Sequence, residues 1–168
     1  SFTIDITTPT LDNVTIASNN SDNTTLAKTG NVITLSITSA EAIQTPSVSI
    51  AGQTATVTGS GTSWSAAYTM AGSNSEGSVS LNISFSDLAG NAGSVVTGTT
   101  NGSAVQFDRT APTASVTTTT ITNSGDAVVR STETGTAYLV KTTVSVSNNL
   151  TSITGAADSQ WNSVAISS

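Results

Sequence analysis

Side chains suited to a hard cation stand at two kinds of position in this chain. Asp5 and Asp108 occupy the same place in two similar segments, and Asp87 and Asn91 bracket the short stretch Asp87-Leu88-Ala89-Gly90-Asn91. Ca²⁺ takes about six to eight oxygen ligands, mostly from carboxylates, carbonyls and amide side chains. The net charge of −6 also favours cations. We therefore take Asp5, Asp87, Asn91 and Asp108 as candidate calcium ligands.

A purely structural interpretation of the Asp87–Asn91 stretch stays open beside the metal. Asp and Asn side chains hydrogen-bond nearby backbone and so stabilise turns without any ion. Gly90 followed by Asn91 also suits a tight turn that needs a positive φ. The sequence predicts a turn in either case.

Composition excludes several other kinds of chemistry. There is no Cys and no His, which removes thiol nucleophiles, disulfides and imidazole acid–base catalysis. The ten acidic residues form no recognisable glycosidase pair, and we expect no enzyme. A lysine–asparagine crosslink that joins Lys28 or Lys141 to an asparagine with the help of Glu41 or Glu133 is one alternative. The other is that these residues are simply solvated surface charges.

Charge and hydropathy also limit the partners. The four cations, Lys28, Arg109, Arg130 and Lys141, are scattered, whereas nucleic-acid binding needs clustered basic residues. No run approaches the roughly 20 apolar residues of a membrane span. We expect neither nucleic-acid binding nor membrane insertion.

A repeated segment sets the domain organisation. Ile4-Asp5-Ile6-Thr7-Thr8-Pro9-Thr10 recurs as Phe107-Asp108-Arg109-Thr110-Ala111-Pro112-Thr113, and Asp5 and Asp108 are 103 positions apart. Roughly 100 residues is the length of an immunoglobulin-type sandwich. Pro stiffens the chain and favours an extended residue before it. We interpret both segments as interdomain linkers that lead into a first strand.

Between the linkers, apolar residues alternate with Ser, Thr and Asn. This period of two predicts short antiparallel strands with almost no helix. Trp64, Tyr68 and Phe85 are interpreted as core residues, with a sugar-stacking platform as the alternative. The predicted strands of this part are 14–16, 32–38, 48–50, 55–57, 64–70, 79–85 and a last one towards 105–107.

The predicted fold is all-β: an antiparallel immunoglobulin-like β-sandwich, with one complete module and an incomplete second one. Residues 1–107 form the complete sandwich with its N-terminal linker. Residues 108–168 form the first part of a second module, with strands expected at 114–118, 127–129, 137–140, 143–146 and 164–166. Because no second Asp-x-Ala-Gly-Asn occurs, this module is expected to lack its last strands. The start at Ser1 suggests a piece of a longer protein.

Topology brings the candidate ligands of the first module together. In an immunoglobulin sandwich the loop of the last hairpin lies at the same end as the incoming chain. Asp87 and Asn91 are therefore expected near Asp5. Asp108 is expected to play the part of Asp5 for the second module.

Both linkers and the Asp87–Asn91 turn resemble the tandem bacterial immunoglobulin-like domains of large secreted surface adhesins and biofilm proteins. The motif Asp108-Arg109-Thr110-Ala111-Pro112-Thr113 carries this resemblance most closely, and the first linker is a looser match. It implies a spacer or stalk module on the bacterial cell surface, with neighbouring modules of the same chain as partners. A Ca²⁺ ion bound where Asp5, Asp87 and Asn91 meet would stiffen the joint between modules. Two alternatives remain: a self-assembling surface fibre or layer subunit completed by a neighbour's strand, and a carbohydrate-binding module.

Overall fold

The structure is a computed structural model that describes residues 4–116, 128–147 and 149–167. The chain divides into two compact units, Ser1–Arg109 and Thr110–Ser168. Strands dominate both units. Helix within the described ranges is limited to one four-residue turn and one three-residue 3₁₀ turn, both in the second unit.

The first unit contains long strands separated by very short ones. Alternating Thr, Val, Ile and Ser residues suit a pleated surface that is buried on one face. In chain order the strands are β1 (Leu11–Ser18), β2 (Leu26–Ala27), β3 (Val32–Ser39), β4 (Ser47–Ile50), β5 (Gln53–Thr54), β6 (Thr56–Ser60), β7 (Ser63–Thr69), β8 (Gly77–Ser78), β9 (Leu81–Ser84) and β10 (Gln106–Phe107).

The strand order is that of an immunoglobulin-like sandwich. One sheet has the order β1-β3-β7-β6 and a second has the order β5-β4-β9. A bridge between Ile83 and Val96 adds the following chain beside β9. The first order matches the A-B-E-D sheet of the constant-type immunoglobulin fold. In the second sheet β4, β9 and the chain at Val96 match its C-F-G strands, and β5 is an additional short edge strand. The predicted all-β antiparallel sandwich is confirmed, with one short parallel pair between β2 and β10.

The core lies between these two sheets. Ile33, Leu35 and Ile37 of β3 are buried, while the residues between them are more exposed. Leu35 is paired with Ile16 on one side and with Ala66 on the other. Such rows of cross-strand neighbours are what stabilise a sheet face. The opposite layer contributes the buried residues Val48, Ile50, Leu81, Ile83 and Phe85.

The hairpin between β4 and β5 turns within two residues. Ala51 and Gly52 both have positive φ, 52° and 73°, as a two-residue hairpin turn requires. β5 then pairs with β4 for only two residues. The predicted strand at 55–57 is β6, which belongs to the other sheet and pairs with β7.

The second unit consists of two small hairpins. β11 (Ala114–Val116) pairs with β12 (Val129–Ser131), and β13 (Gly135–Val140) pairs with β14 (Trp161–Ile166). Helix α1 (Thr151–Thr154) and the 3₁₀ turn Asp158–Gln160 lie between β13 and β14. No described residue beyond Asp108 is buried.

One predicted strand of the second unit is wrong. Residues 143–146 form a turn and an irregular segment, in which the Val144 N–H donates to the Lys141 carbonyl. Strands at 114–118 and 127–129 fall partly on residues outside the described ranges. Their described parts lie in or beside β11 and β12. That this unit is a sandwich without its last strands stays a prediction.

Candidate metal centre

The turn after β9 is organised by one carboxylate. Asp87 is 1% exposed, and its Oδ1 accepts hydrogen bonds from the N–H groups of Gly90 (2.6 Å) and Asn91 (2.8 Å). The Asn91 side-chain amide donates to Oδ2 at 2.7 Å. Gly90 has φ +100°, which only glycine adopts without strain. The predicted turn and the predicted role of Gly90 are confirmed.

The same hydrogen bonds keep Asp87 charged. Burial alone would raise its pKa, because a desolvated carboxylate is less stable than its neutral form. The Asn91 side chain and the N–H groups of Asn91, Gly90 and Ala89 outweigh that effect, so the pKa of Asp87 is lowered. A negative charge is therefore held at the end of the sandwich.

The N-terminal linker lies against this turn. The Asn91 side-chain amide donates to the Asp5 backbone carbonyl at 3.1 Å. Pro9 is buried, and the Ala40 N–H donates to the Thr10 carbonyl at 3.0 Å. The Asp5 carboxylate accepts from the Thr7 N–H at 3.0 Å. These contacts fix the linker between the β3–β4 loop and the turn after β9.

Glu41 from the β3–β4 loop completes a cluster of three carboxylates. One carboxylate oxygen each from Asp5, Glu41 and Asp87 lie within 4.8 Å of one another. Among the described residues none of these three carboxylates forms a salt bridge. The salt bridge that the described residues do form joins Arg109 to Glu76. Three like charges so close repel one another unless a cation compensates them. The cluster can bind a metal ion.

Ca²⁺ holds its oxygens at about 2.3–2.6 Å and Mg²⁺ at about 2.0–2.1 Å, so opposite ligands lie up to about 5 Å and about 4 Å apart, respectively. The carboxylate oxygens of the cluster all lie within 4.8 Å of one another, which is within the range of ligand separations around a bound cation.

Of the four candidate ligands, three lie together and one does not. Asp5, Asp87 and Asn91 meet at the cluster, as topology predicted. Asn91 directs its amide nitrogen, not its oxygen, at both aspartates, so it orients them in this structure. Asp108 is exposed, stands directly after β10 and donates its N–H to the Ala27 carbonyl. It is not part of the cluster.

Sequence reasoning missed Glu41 as a ligand. It was considered only as an acid for a lysine–asparagine crosslink, but Lys28 and Lys141 are both exposed. The signal that could have identified Glu41 is the fold topology, since the β3–β4 loop lies at the same end of the sandwich as the turn after β9.

Trp64 and Phe85 belong to the core of the first unit, and Tyr68 packs against it. Trp64 and Phe85 are buried, and Tyr68 is half-buried with its hydroxyl donating to Asn74 Oδ1 at 3.2 Å. In the second unit Trp161 and Tyr138 are half-buried, with ring centroids 5.9 Å apart.

Comparison with protein-family models, with curated proteins and with solved structures found no match. In the described part of the chain, no helix is long and apolar enough to cross a lipid bilayer.

Proposed function

We propose that this chain is a spacer or stalk module of an extracellular bacterial adhesin or biofilm protein, stiffened by Ca²⁺ where its linker meets the sandwich. The function is mechanical: the sandwich provides length and the linker limits bending. The observation that carries the proposal is the linker residue Asp5 sharing one cluster with Glu41 and Asp87. Without an ion, the three charges repel one another and favour release of the linker.

The two linker segments support this modular interpretation. Asp5 and Asp108 are both exposed, and Asp108 lies beside the boundary between the two compact units. Pro9 is buried against the first unit, whereas Pro112 is exposed. This difference is expected if each module fixes its own incoming linker, because the first linker meets a complete sandwich and the second meets a smaller unit.

Thermal unfolding of the full chain in Ca²⁺ and in EDTA tests the proposal. An ion that binds only the folded state stabilises it by about 2.7 kcal/mol at 100 times its dissociation constant. For a unit of roughly 100 residues this raises Tm by roughly 10–20 °C. Mg²⁺ should give a smaller rise.

Matched variants locate the ion. Asp5→Asn and Glu41→Gln should each weaken Ca²⁺ binding at least about tenfold, as measured by calorimetry, since each removes one charged ligand. Asp12→Asn makes the same change at an exposed position of β1 and should leave the affinity unchanged. A Tm that does not respond to Ca²⁺, or equal losses in Asp5→Asn and Asp12→Asn, would contradict the proposed ion.

A self-assembling surface subunit is the second candidate, and one observation favours it. Large apolar side chains of the second unit are exposed, including Leu139 at 65% and Val164 at 60%. Small two-stranded hairpins are marginally stable by themselves. In this alternative a neighbouring chain supplies strands that cover these residues.

A further inference from the structure

The loop at residues 99–103 covers the backbone of β1. The N–H groups of Val14 and Ile16 donate to the side-chain hydroxyls of Thr100 (3.0 Å) and Ser103 (2.9 Å). The Thr100 N–H in turn donates to the Val14 carbonyl at 2.9 Å. Because β1 is an edge strand of the sheet β1-β3-β7-β6, these groups would otherwise be uncovered and could pair with another strand.

The two hydroxyls that hold β1 are separated by Asn101 and Gly102. Asn101 is exposed, and its Oδ1 accepts a hydrogen bond from the Ser103 N–H at 3.0 Å. Gly102 has φ +74°, and a Cβ added there would meet nothing within 4 Å. The spacing of Thr100 and Ser103 therefore depends on a tight turn that an Asn side chain closes.

An Asn followed by Gly is chemically labile. The next backbone nitrogen can attack the Asn Cγ, and a Gly has no Cβ to hinder the approach. Asn101 is followed by Gly, whereas every other Asn of the sequence is followed by a larger residue. Among the described residues nothing accepts a hydrogen bond from the Gly102 N–H, so base can remove its proton. The Ser103 N–H at Oδ1 stabilises the negative charge that develops on that oxygen.

We propose that Asn101 is a site of spontaneous modification, in which deamidation to isoaspartate releases the loop from β1. The Gly102 nitrogen bonds to Cγ, and its proton leaves with the Asn101 side-chain nitrogen as ammonia, which gives a succinimide ring. Water then opens the ring. Attack at the backbone carbonyl gives isoaspartate, whose main chain runs through Cβ and Cγ, and attack at the other carbonyl gives aspartate. Water is consumed and ammonia is released, with no oxidation or reduction.

The two products differ in their effect on β1. Isoaspartate adds a carbon to the main chain between Thr100 and Ser103, so the two hydroxyls lose the spacing that fits Val14 and Ile16. Aspartate keeps the main chain, and its carboxylate still accepts from the Ser103 N–H. The longer chain, and not the added charge, should therefore open the edge. This inference needs neither the stalk function nor Ca²⁺.

Ageing the full chain in warm, mildly alkaline buffer with EDTA tests the chemistry. Fragmentation mass spectrometry should find isoaspartate at Asn101 accumulating at least about tenfold faster than at Asn23, where a Cβ hinders attack. Asn23 is a matched position, because it is also exposed and its Oδ1 accepts from the Thr25 N–H at 2.9 Å, but Thr24 follows it. The rate at Asn101 should rise with pH, since attack requires the deprotonated nitrogen. Equal rates at both asparagines would overturn the proposal.

Hydrogen exchange measures the release of the loop. In the aged chain the Val14 and Ile16 amides should exchange at least about fivefold faster, because each loses its hydroxyl acceptor, while the amides of β7 should not change. Asn101→Gln closes a larger ring more slowly and should keep both amides protected after the same treatment.

A second variant separates charge from chain length. Asn101→Asp, measured before ageing, carries the charge without the added carbon and should keep the Val14 and Ile16 amides protected. Isoaspartate at Asn101 with unchanged exchange in β1 would contradict release of the loop. Equal loss of protection in fresh Asn101→Asp would contradict the role of the longer chain.

Discussion

At the scale of single residues, Asp87 makes the stability of the first unit depend on acid. Its hydrogen bonds lower its pKa in the folded state. The stability it contributes is therefore complete above the pKa of an unfolded aspartate, about 3.9, and is lost as the pH falls through the lower folded value. We expect the Tm to fall with acid across this window, and Asp87→Asn to flatten the dependence.

Unfolding in EDTA across the acid range measures this effect without competition from Ca²⁺. Asp12→Asn, at an exposed position of β1, provides the control and should keep the slope of the parent chain. If Asp87→Asn keeps that slope as well, the hydrogen bonds from Asn91 and Gly90 do not hold the charge as described.

The residues in and around the carboxylate cluster show how much of the site can be predicted from the sequence alone. Asp5, Asp87 and Asn91 were predicted to meet, because a repeated linker and a turn motif identify them and fold topology brings them together. Glu41 has no motif around it, and only the approach of its loop to the turn after β9 gives it a role. Asn91 was predicted as a ligand, but the direction of its amide depends on hydrogen bonds that no sequence pattern encodes.

At the scale of elements, the β4–β5 hairpin depends on backbone conformation at its turn. A Cβ added at Gly52 meets nothing within 4 Å, but φ there is +73°. Gly52→Ala should therefore cost about 1–2 kcal/mol of unfolding free energy through strain alone. Gly98 also has open space around it and no positive φ. Gly98→Ala should be neutral or slightly stabilising in the same urea titrations, and equal losses in both variants would contradict this account.

Strands were predicted best where alternation is long and one face is buried. β3 and β7 follow this rule, because a slip of one residue would expose their apolar faces. Residues 143–146 alternate as well, yet they form no strand, because alternation does not specify a pairing partner. The two-residue strands β2, β5 and β8 lack any such pattern, since each contains too few residues to show a period.

At the scale of the whole molecule, the two units differ in where their stability can come from. The buried core described above belongs entirely to the first unit. Leu35 is fully buried there, whereas Leu139 of the second unit is 65% exposed. Leu35→Ala should cost about 2–5 kcal/mol, because it removes buried methyl groups and leaves a cavity. Leu139→Ala is the matched change and should stay within about 0.5 kcal/mol.

The two tryptophans allow the units to be followed separately. Trp64 lies in the first unit and Trp161 in the second, so Trp161→Phe and Trp64→Phe each leave one reporter. In urea titrations, Leu35→Ala should shift the midpoint seen by Trp64 without changing the slope, because the surface exposed on unfolding is nearly the same. If Leu139→Ala shifts the midpoint seen by Trp161 just as far, Leu139 is covered in solution. The exposed apolar face of the second unit would then have a partner, and the surface-subunit alternative would gain over the spacer.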